Sequence, residues 1–169
     1  MKLNILLFSV TSLLIASLAG CGGGGNSAPT TVSTPVVDPA TTAAIQSNMN
    51  TNYNNDQLLL STSIQNCFRQ NNGGAAIICS VNSKQTSVQN FLNTVLANIQ
   101  TVKNSTPIDK TAIATMLTTY QTQDLAWLTV NSLSPTYTMS LAELAAVSPT
   151  YNSSVNTSYS NALIQLTGM

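Results

Sequence analysis

Between residues 87 and 102 the apolar side chains recur at helical intervals and at no other period. Val88, Phe91, Leu92, Val95, Leu96, Ile99 and Val102 fall on one face, while Gln89, Asn90, Asn93, Thr94, Asn98 and Gln100 fall on the other. A helix turns about 100° per residue, so this spacing gathers one continuous apolar stripe, which a strand's two-residue alternation would scatter. The same spacing returns elsewhere. Residues 41–69 carry Ile45, Met49, Tyr53, Leu60, Ile64 and Phe68, although the asparagine-rich stretch 50–55 is a weak helix former that can fray or kink. Ile113, Met116, Leu117, Tyr120, Trp127 and Leu128, broadened by Leu125, make a stripe that runs to about Asn131. Here Thr106 is placed to cap, Pro107 suits a first turn, and Asp109 complements the positive helix end. Ser140-Leu141-Ala142-Glu143 is a capping-box pattern. It predicts a short helix that stops near Ser148 and Pro149, followed by a last helix over residues 150–166 with Tyr151, Val155, Tyr159, Ala162, Leu163 and Leu166 on one side. Asn71-Asn72-Gly73-Gly74 ends the first helix, and the apolar run 75–81 reads as a packed connection or a single helical turn.

These segments, joined by short links, predict an all-α fold: a small up-and-down bundle of about four helices. The stripes are too short and too wide for a coiled-coil oligomer, and no fixed internal repeat is evident. Only 6% of the residues are charged, against about 25% in an ordinary globular protein. Behind the leader the cations are Arg69, Lys84, Lys103 and Lys110, too scattered for the basic patch that nucleic-acid binding needs. Asn, Gln, Ser and Thr replace the missing charge and make up roughly two-fifths of the chain. A 43% hydrophobic content still suffices for a core, which separates this composition from that of disordered chains.

The amino terminus has its own logic. Lys2 precedes an apolar stretch over residues 3–18, too short for a confident membrane span and placed as a secretory signal. Leu18-Ala19-Gly20-Cys21 resembles the lipobox of bacterial lipoproteins. The resemblance covers about the first 21 residues and no more. It implies cleavage before Cys21 and a diacylglycerol on that thiol. Two or more acyl chains hold a protein stably on a bilayer, at about 0.8 kcal/mol per buried CH₂. Gly22 rather than Asp follows the cysteine, which by the same resemblance favours the outer membrane where a second membrane exists. Gly22 to Gly25 and then Pro29, Pro35 and Pro39 read as a flexible, then semi-extended tether. The chain thus divides into a signal peptide (residues 1–20), a lipidated cysteine and tether (21–40) and a helical domain (41–169).

Cys67 and Cys79 follow in a protein addressed to an oxidising compartment, so the pair reads as a structural disulfide. A loop of that size gives roughly 3 kcal/mol by chain entropy. With no histidine and no Cys-x-x-Cys, neither a metal site nor a redox motif is expected, and no cofactor motif is present. The absence of histidine also removes the usual nucleophile–base arrangements. The expected role is a non-enzymatic, lipid-anchored envelope protein that presents its helices to another protein. Two other readings remain. Trp127 and Tyr120, with Tyr53, Tyr151 and Tyr159, can line a pocket for a small molecule or glycan, though core packing also accounts for them. Asp56 and Asp124, the two acids near apolar stripes, can act as the acid and base of a hydrolase, though a place at the stripe margins accounts for both.

Overall fold

The computed structural model of the protein describes residues 36–70, 76–103, 106–131 and 140–169. The leader, Cys21, the tether to residue 35, the glycine link at 71–74 and the break at 133–135 lie outside the described residues. Four helices carry the rest: α1 (Pro39–Gln70), α2 (Ala76–Val102), α3 (Lys110–Asn131) and α4 (Leu141–Gly168). No strand occurs among the described residues, and the fold is the small all-α bundle of four helices that the periodicity predicts. None of the described helices is long and apolar enough to cross a membrane.

Bonds at the helix ends fix the helix directions. The Asp38 N–H donates to the Pro107 carbonyl, and the Asp109 N–H donates to the Thr42 hydroxyl, so α1 and α3 begin side by side and run parallel. The Lys110 ammonium, at the start of α3, reaches the Thr167 carbonyl near the end of α4, which makes those two antiparallel. Gln57 with Lys84 and Cys67 with Cys79 pair α1 and α2 in opposite order, so those two are antiparallel, and α2 and α4 are therefore parallel. Packing joins α1 to α2, α2 to α4, α4 to α3 and α3 to α1. Directions therefore alternate along the chain, but α2 and α3, consecutive in sequence, stand at opposite corners.

The core follows the stripes. Ile45, Met49, Tyr53, Leu60 and Ile64 of α1, Val88, Phe91, Leu92, Val95 and Ile99 of α2, Ile113, Leu117, Tyr120 and Leu128 of α3, and Tyr151, Val155, Tyr159, Ala162 and Leu166 of α4 are all buried. At the end where α1 finishes, Cys67 and Cys79 stand at disulfide distance, with Cα atoms 6.4 Å apart.

Several boundaries differ from the sequence expectation, each for a physical reason. Pro39 opens α1 instead of closing the tether. A first-turn proline gives up an N–H that has no helical partner anyway, and Asp38 before it accepts the Ala40 N–H as a cap. The asparagine-rich stretch 50–55 does not interrupt α1, because Met49 and Tyr53 on either side of its start are locked in the core. The apolar run at 75–81 is no separate connection: from Ala76 it is the first two turns of α2, with Val81 on the core face. In α3 the cap is Asp109, which accepts the Ala112 N–H, rather than Thr106. The Ser140–Glu143 capping box forms as predicted, but the helix it opens does not stop at Pro149. α4 runs through that proline, and Leu144 and Val147 before it pack on the same core as Tyr151 and Val155 after it.

An interior proline removes one helical bond and crowds the carbonyl four residues back, at a cost of about 3 kcal/mol. The Pro149 side chain is exposed, so nothing in the core requires it. Pro149→Ala should raise stability by about 2 kcal/mol, the gain being trimmed by the greater freedom of the unfolded chain. Urea denaturation followed by circular dichroism should show the midpoint rising; an unchanged or lower midpoint would mean that α4 is broken there.

Candidate functional site

The most distinctive chemistry of the molecule lies on the bundle axis. Lys84 of α2 and Asp124 of α3 form an ion pair, Nζ to Oδ1 at 2.6 Å, with both side chains only 1% exposed. Each arrives there by periodicity. Lys84 falls three residues after Val81 and four before Val88, and Asp124 falls four after Tyr120 and four before Leu128, so both occupy core positions of their helices.

Two charges in such a place must be compensated locally. The Tyr53 hydroxyl of α1 donates to Asp124 Oδ1 at 2.8 Å, and the Tyr159 hydroxyl of α4 donates to Oδ2 at 2.7 Å. The Tyr151 hydroxyl donates to the backbone carbonyl of Asp124 at 2.6 Å. Lys84 Nζ also donates to Gln57 Oε1 at 2.9 Å, and it lies 5.7 Å from the ring centres of both Tyr53 and Trp127, within cation–π range. Tyr53 stacks on Tyr120 at 4.2 Å, and Phe91 meets both rings edge-on. All four helices thus contribute a polar atom to one carboxylate–ammonium pair.

Burial pulls the Lys84 ammonium below its ordinary range, and the Asp124 carboxylate beside it works the other way. Burial, then the Asp124 charge, pushes the Tyr53 and Tyr159 phenols well above theirs. Burial lifts Tyr120 to about 12. The carboxylate accepts from three donors and the ammonium is enclosed by an amide oxygen and two aromatic faces. The arrangement can hold four helices in one register.

The two acids foreseen as an acid–base pair are placed very differently. Asp124 is not at a stripe margin but fully buried in the ion pair. Asp56 is half-buried and lines an open groove between α1 and α2 of about 400 Å³. Burial raises its carboxyl, Lys84 lowers it and Asp124 raises it further. Trp127 and Tyr120, foreseen as possible ligand-lining residues, are buried beside Tyr151 and Tyr53 respectively. Neither lines this groove, the α2–α4 cleft or a third cleft between α1 and α2 beside Ile45. Lys84 and Gln57 were not foreseen as site residues, although Lys84 continues the α2 stripe one turn back from Val88.

Breaking a buried pair by removing one partner costs about 3–5 kcal/mol. The two sides are unequal here. Lys84→Met leaves Asp124 with its two tyrosine donors and should cost the lower end of that range. Asp124→Leu strands an ammonium and two hydroxyls and should cost the upper end or more. The double variant should lose less than the sum, read from urea midpoints; strict additivity would mean that the pair is not formed.

The tyrosines set the alkaline limit. A phenol whose folded value is raised contributes stability that is complete below the unfolded value near 10 and is lost as pH rises through the window to about 12. Lys84, whose folded value is lowered, acts in the opposite sense below about 10.5, one group against three. Tyrosinate absorbance at 295 nm should therefore rise in a steep step coincident with loss of helix. A gradual rise centred on pH 10 with the helices intact would contradict the burial of these phenols.

Comparison of the chain with protein-family models, with curated proteins and with solved structures finds no match in any of the three.

Proposed function

We propose that the protein is a non-enzymatic envelope lipoprotein, held on the outer membrane by lipid on Cys21, whose helical unit serves as a docking module for another protein. The observation that carries the anchor is the position of Cys21, directly behind Leu18-Ala19-Gly20 and an apolar leader that Lys2 begins. Anchoring by lipid needs no spanning helix. The docking role draws support from the flanks of the bundle. Among the described residues every charge but that of Asp56 lies at a helix end or in the buried pair, so the sides of the helices are uncharged, rich in Asn, Gln, Ser and Thr with a few exposed apolar residues such as Leu58, Leu59 and Ile164. Charge depletion is a feature of interface cores, where bringing an ion into contact would strip its hydration.

The first test is lipidation in the native host. Cells labelled with radioactive palmitate should yield a labelled protein that stays with membranes until detergent is added, and Cys21→Ala should be unlabelled. An unlabelled wild-type protein would overturn the anchor. The docking role is tested by a photo-crosslinker at Asn93, on the uncharged outer face of α2, in intact cells. A discrete adduct with another protein, lost in the Cys21→Ala background, is expected; no adduct from this or the Thr118 face of α3 would remove the docking role and leave the anchor standing.

A further inference from the structure

Where charges are few, the place of each one is informative. The sequence holds five acids, and four have a structural partner. Asp38 accepts the Ala40 N–H at the start of α1, Asp109 accepts the Ala112 N–H at the start of α3, and Glu143 closes the capping box of α4. Asp124 holds the buried pair. The cations of the described residues follow the same rule. Arg69 is in the last turn of α1, Lys103 follows the end of α2, Lys110 reaches the Thr167 carbonyl at the end of α4, and Lys84 pairs with Asp124. Negative groups at helix starts and positive groups at helix ends are where the helix dipole favours them.

Asp56 alone breaks the rule. It lies in the middle of α1, half-buried, with no hydrogen bond or ion pair among the described residues. Burial opposes its charge, the Lys84 ammonium favours it from within the core, the Asp124 charge opposes it again, and no donor among the described residues contacts the carboxylate. It faces the α1–α2 groove, whose volume of about 400 Å³ is within the range of small-ligand sites, about 300–1,000 Å³. Ser63, Asn82, Ser83, Ser87 and Asn90 line the same groove, and their side chains also make no hydrogen bond among the described residues. Leu59 and Leu60 give the groove an apolar wall, and Cys79 places the disulfide at its edge. Three hydroxyls, two amides and one carboxylate therefore line one open space, bonded to no other described group and free to exchange water for a ligand.

The charge of this lining selects the ligand class. It holds one anionic group and no cation, so an anion would meet a carboxylate with no compensating donor charge. A neutral polyol would meet the hydroxyls and amides but would leave the carboxylate without a cation in contact with it. An ammonium answers it, since charge-assisted hydrogen bonds to carboxylates are about twice as strong as neutral ones. We infer that the α1–α2 groove is a binding site for a small polar amine, a primary ammonium that also carries hydroxyl or amide groups, with Asp56 as its counter-ion. The serine hydroxyls and asparagine amides receive the polar groups beside the ammonium, and Leu60 receives the carbon skeleton. This site is independent of the lipid anchor and of the protein-docking role.

The test uses the full mature chain in detergent with three matched pairs of probes: ethanolamine and ethylene glycol, serinol and glycerol, glucosamine and N-acetylglucosamine. Two-dimensional NMR at pH 6.5 reads each titration. At least one ammonium probe should give saturable shifts centred on residues 56, 63, 83 and 87, with its neutral counterpart about tenfold weaker or worse. Asp56→Asn, isosteric and off the buried pair, should lose the same factor while its circular dichroism stays that of the wild type. Ser87→Leu, which fills the groove and leaves the carboxylate in place, should also abolish the shifts. No saturable binding by any ammonium, equal binding of the neutral partners, or undiminished binding by Asp56→Asn would each overturn the site.

Discussion

The structure depends on a single carboxylate. Asp124 of α3 meets Lys84 of α2 across the diagonal of the bundle, and takes hydroxyls from the tyrosines of its two neighbours, α1 and α4. Because α2 and α3 stand at opposite corners, their ion pair must pass through the axis, and no other place in the section could collect all four helices at once. The aromatic side chains around it belong to the same arrangement. Tyr53 and Tyr159 are long enough to bring a hydroxyl to the axis while their rings fill the core beside it, a role neither leucine nor serine could perform. Phe91 and Tyr120 then pack against the Tyr53 ring, and Trp127 lies beside the ammonium.

A second constraint is the scarcity of charge elsewhere. The helices are rich in Asn, Ser and Thr, which compete with the helical backbone for hydrogen bonds and are weak helix formers. Threonines along α3 and α2, among them Thr115, Thr118, Thr122 and Thr94, turn that tendency inward by donating to the carbonyl four residues back. Such helices gain little from propensity and are held by their buried faces and their caps. The few acids are spent accordingly on helix starts, where one side chain satisfies an N–H that has no helical partner and complements the dipole. The result is a bundle whose ends are charged and whose sides are polar and nearly neutral.

Much of this was legible in the sequence, and what was missed shows where periodic reading fails. The apolar stripes of residues 88–102, 113–128 and 151–166 located three helices and most of their buried side chains, because burial is what imposes the 3.6-residue period. The capping box at Ser140 and the proximity of Cys67 to Cys79 were legible for equally local reasons. Pro149 misled because a helix boundary was inferred from one residue's intrinsic preference, whereas packing on both sides of it decides. Lys84 was missed, and Asp124 was set at a stripe margin, because a stripe is recognised by its apolar members. A charge on the core face reads as an interruption, and only the partner, 40 residues away in the chain, converts it into a core position. No single-helix pattern contains that information. Asp56 was singled out from the sequence as one of an acidic pair, yet what distinguishes it is isolation: the structure gives every other acid a partner.

The buried pair also bears on why this arrangement and not another is adopted. Four helices with similar, weakly apolar faces can be assembled in more than one cyclic order, and hydrophobic burial alone discriminates poorly among orders that hide the same stripes. An ion pair in the core adds little net stability over a well-packed apolar substitute, since desolvation offsets most of the attraction. Its effect on the alternatives is much larger. In an order that places α2 and α3 side by side, Lys84 and Asp124 would still be carried on core faces, but the tyrosines of α1 and α4 would approach from the wrong corners. Hydroxyls, carboxylate and amide would then be buried without partners, at a cost of about 1–3 kcal/mol for each unmet group. Sliding any helix by one turn has the same consequence, because α1 supplies Tyr53 and Gln57 and α4 supplies Tyr151 and Tyr159 at fixed heights. The polar centre thus acts chiefly by exclusion: it is satisfied in one cyclic order and one register, and the apolar stripes supply the stability that this one arrangement retains.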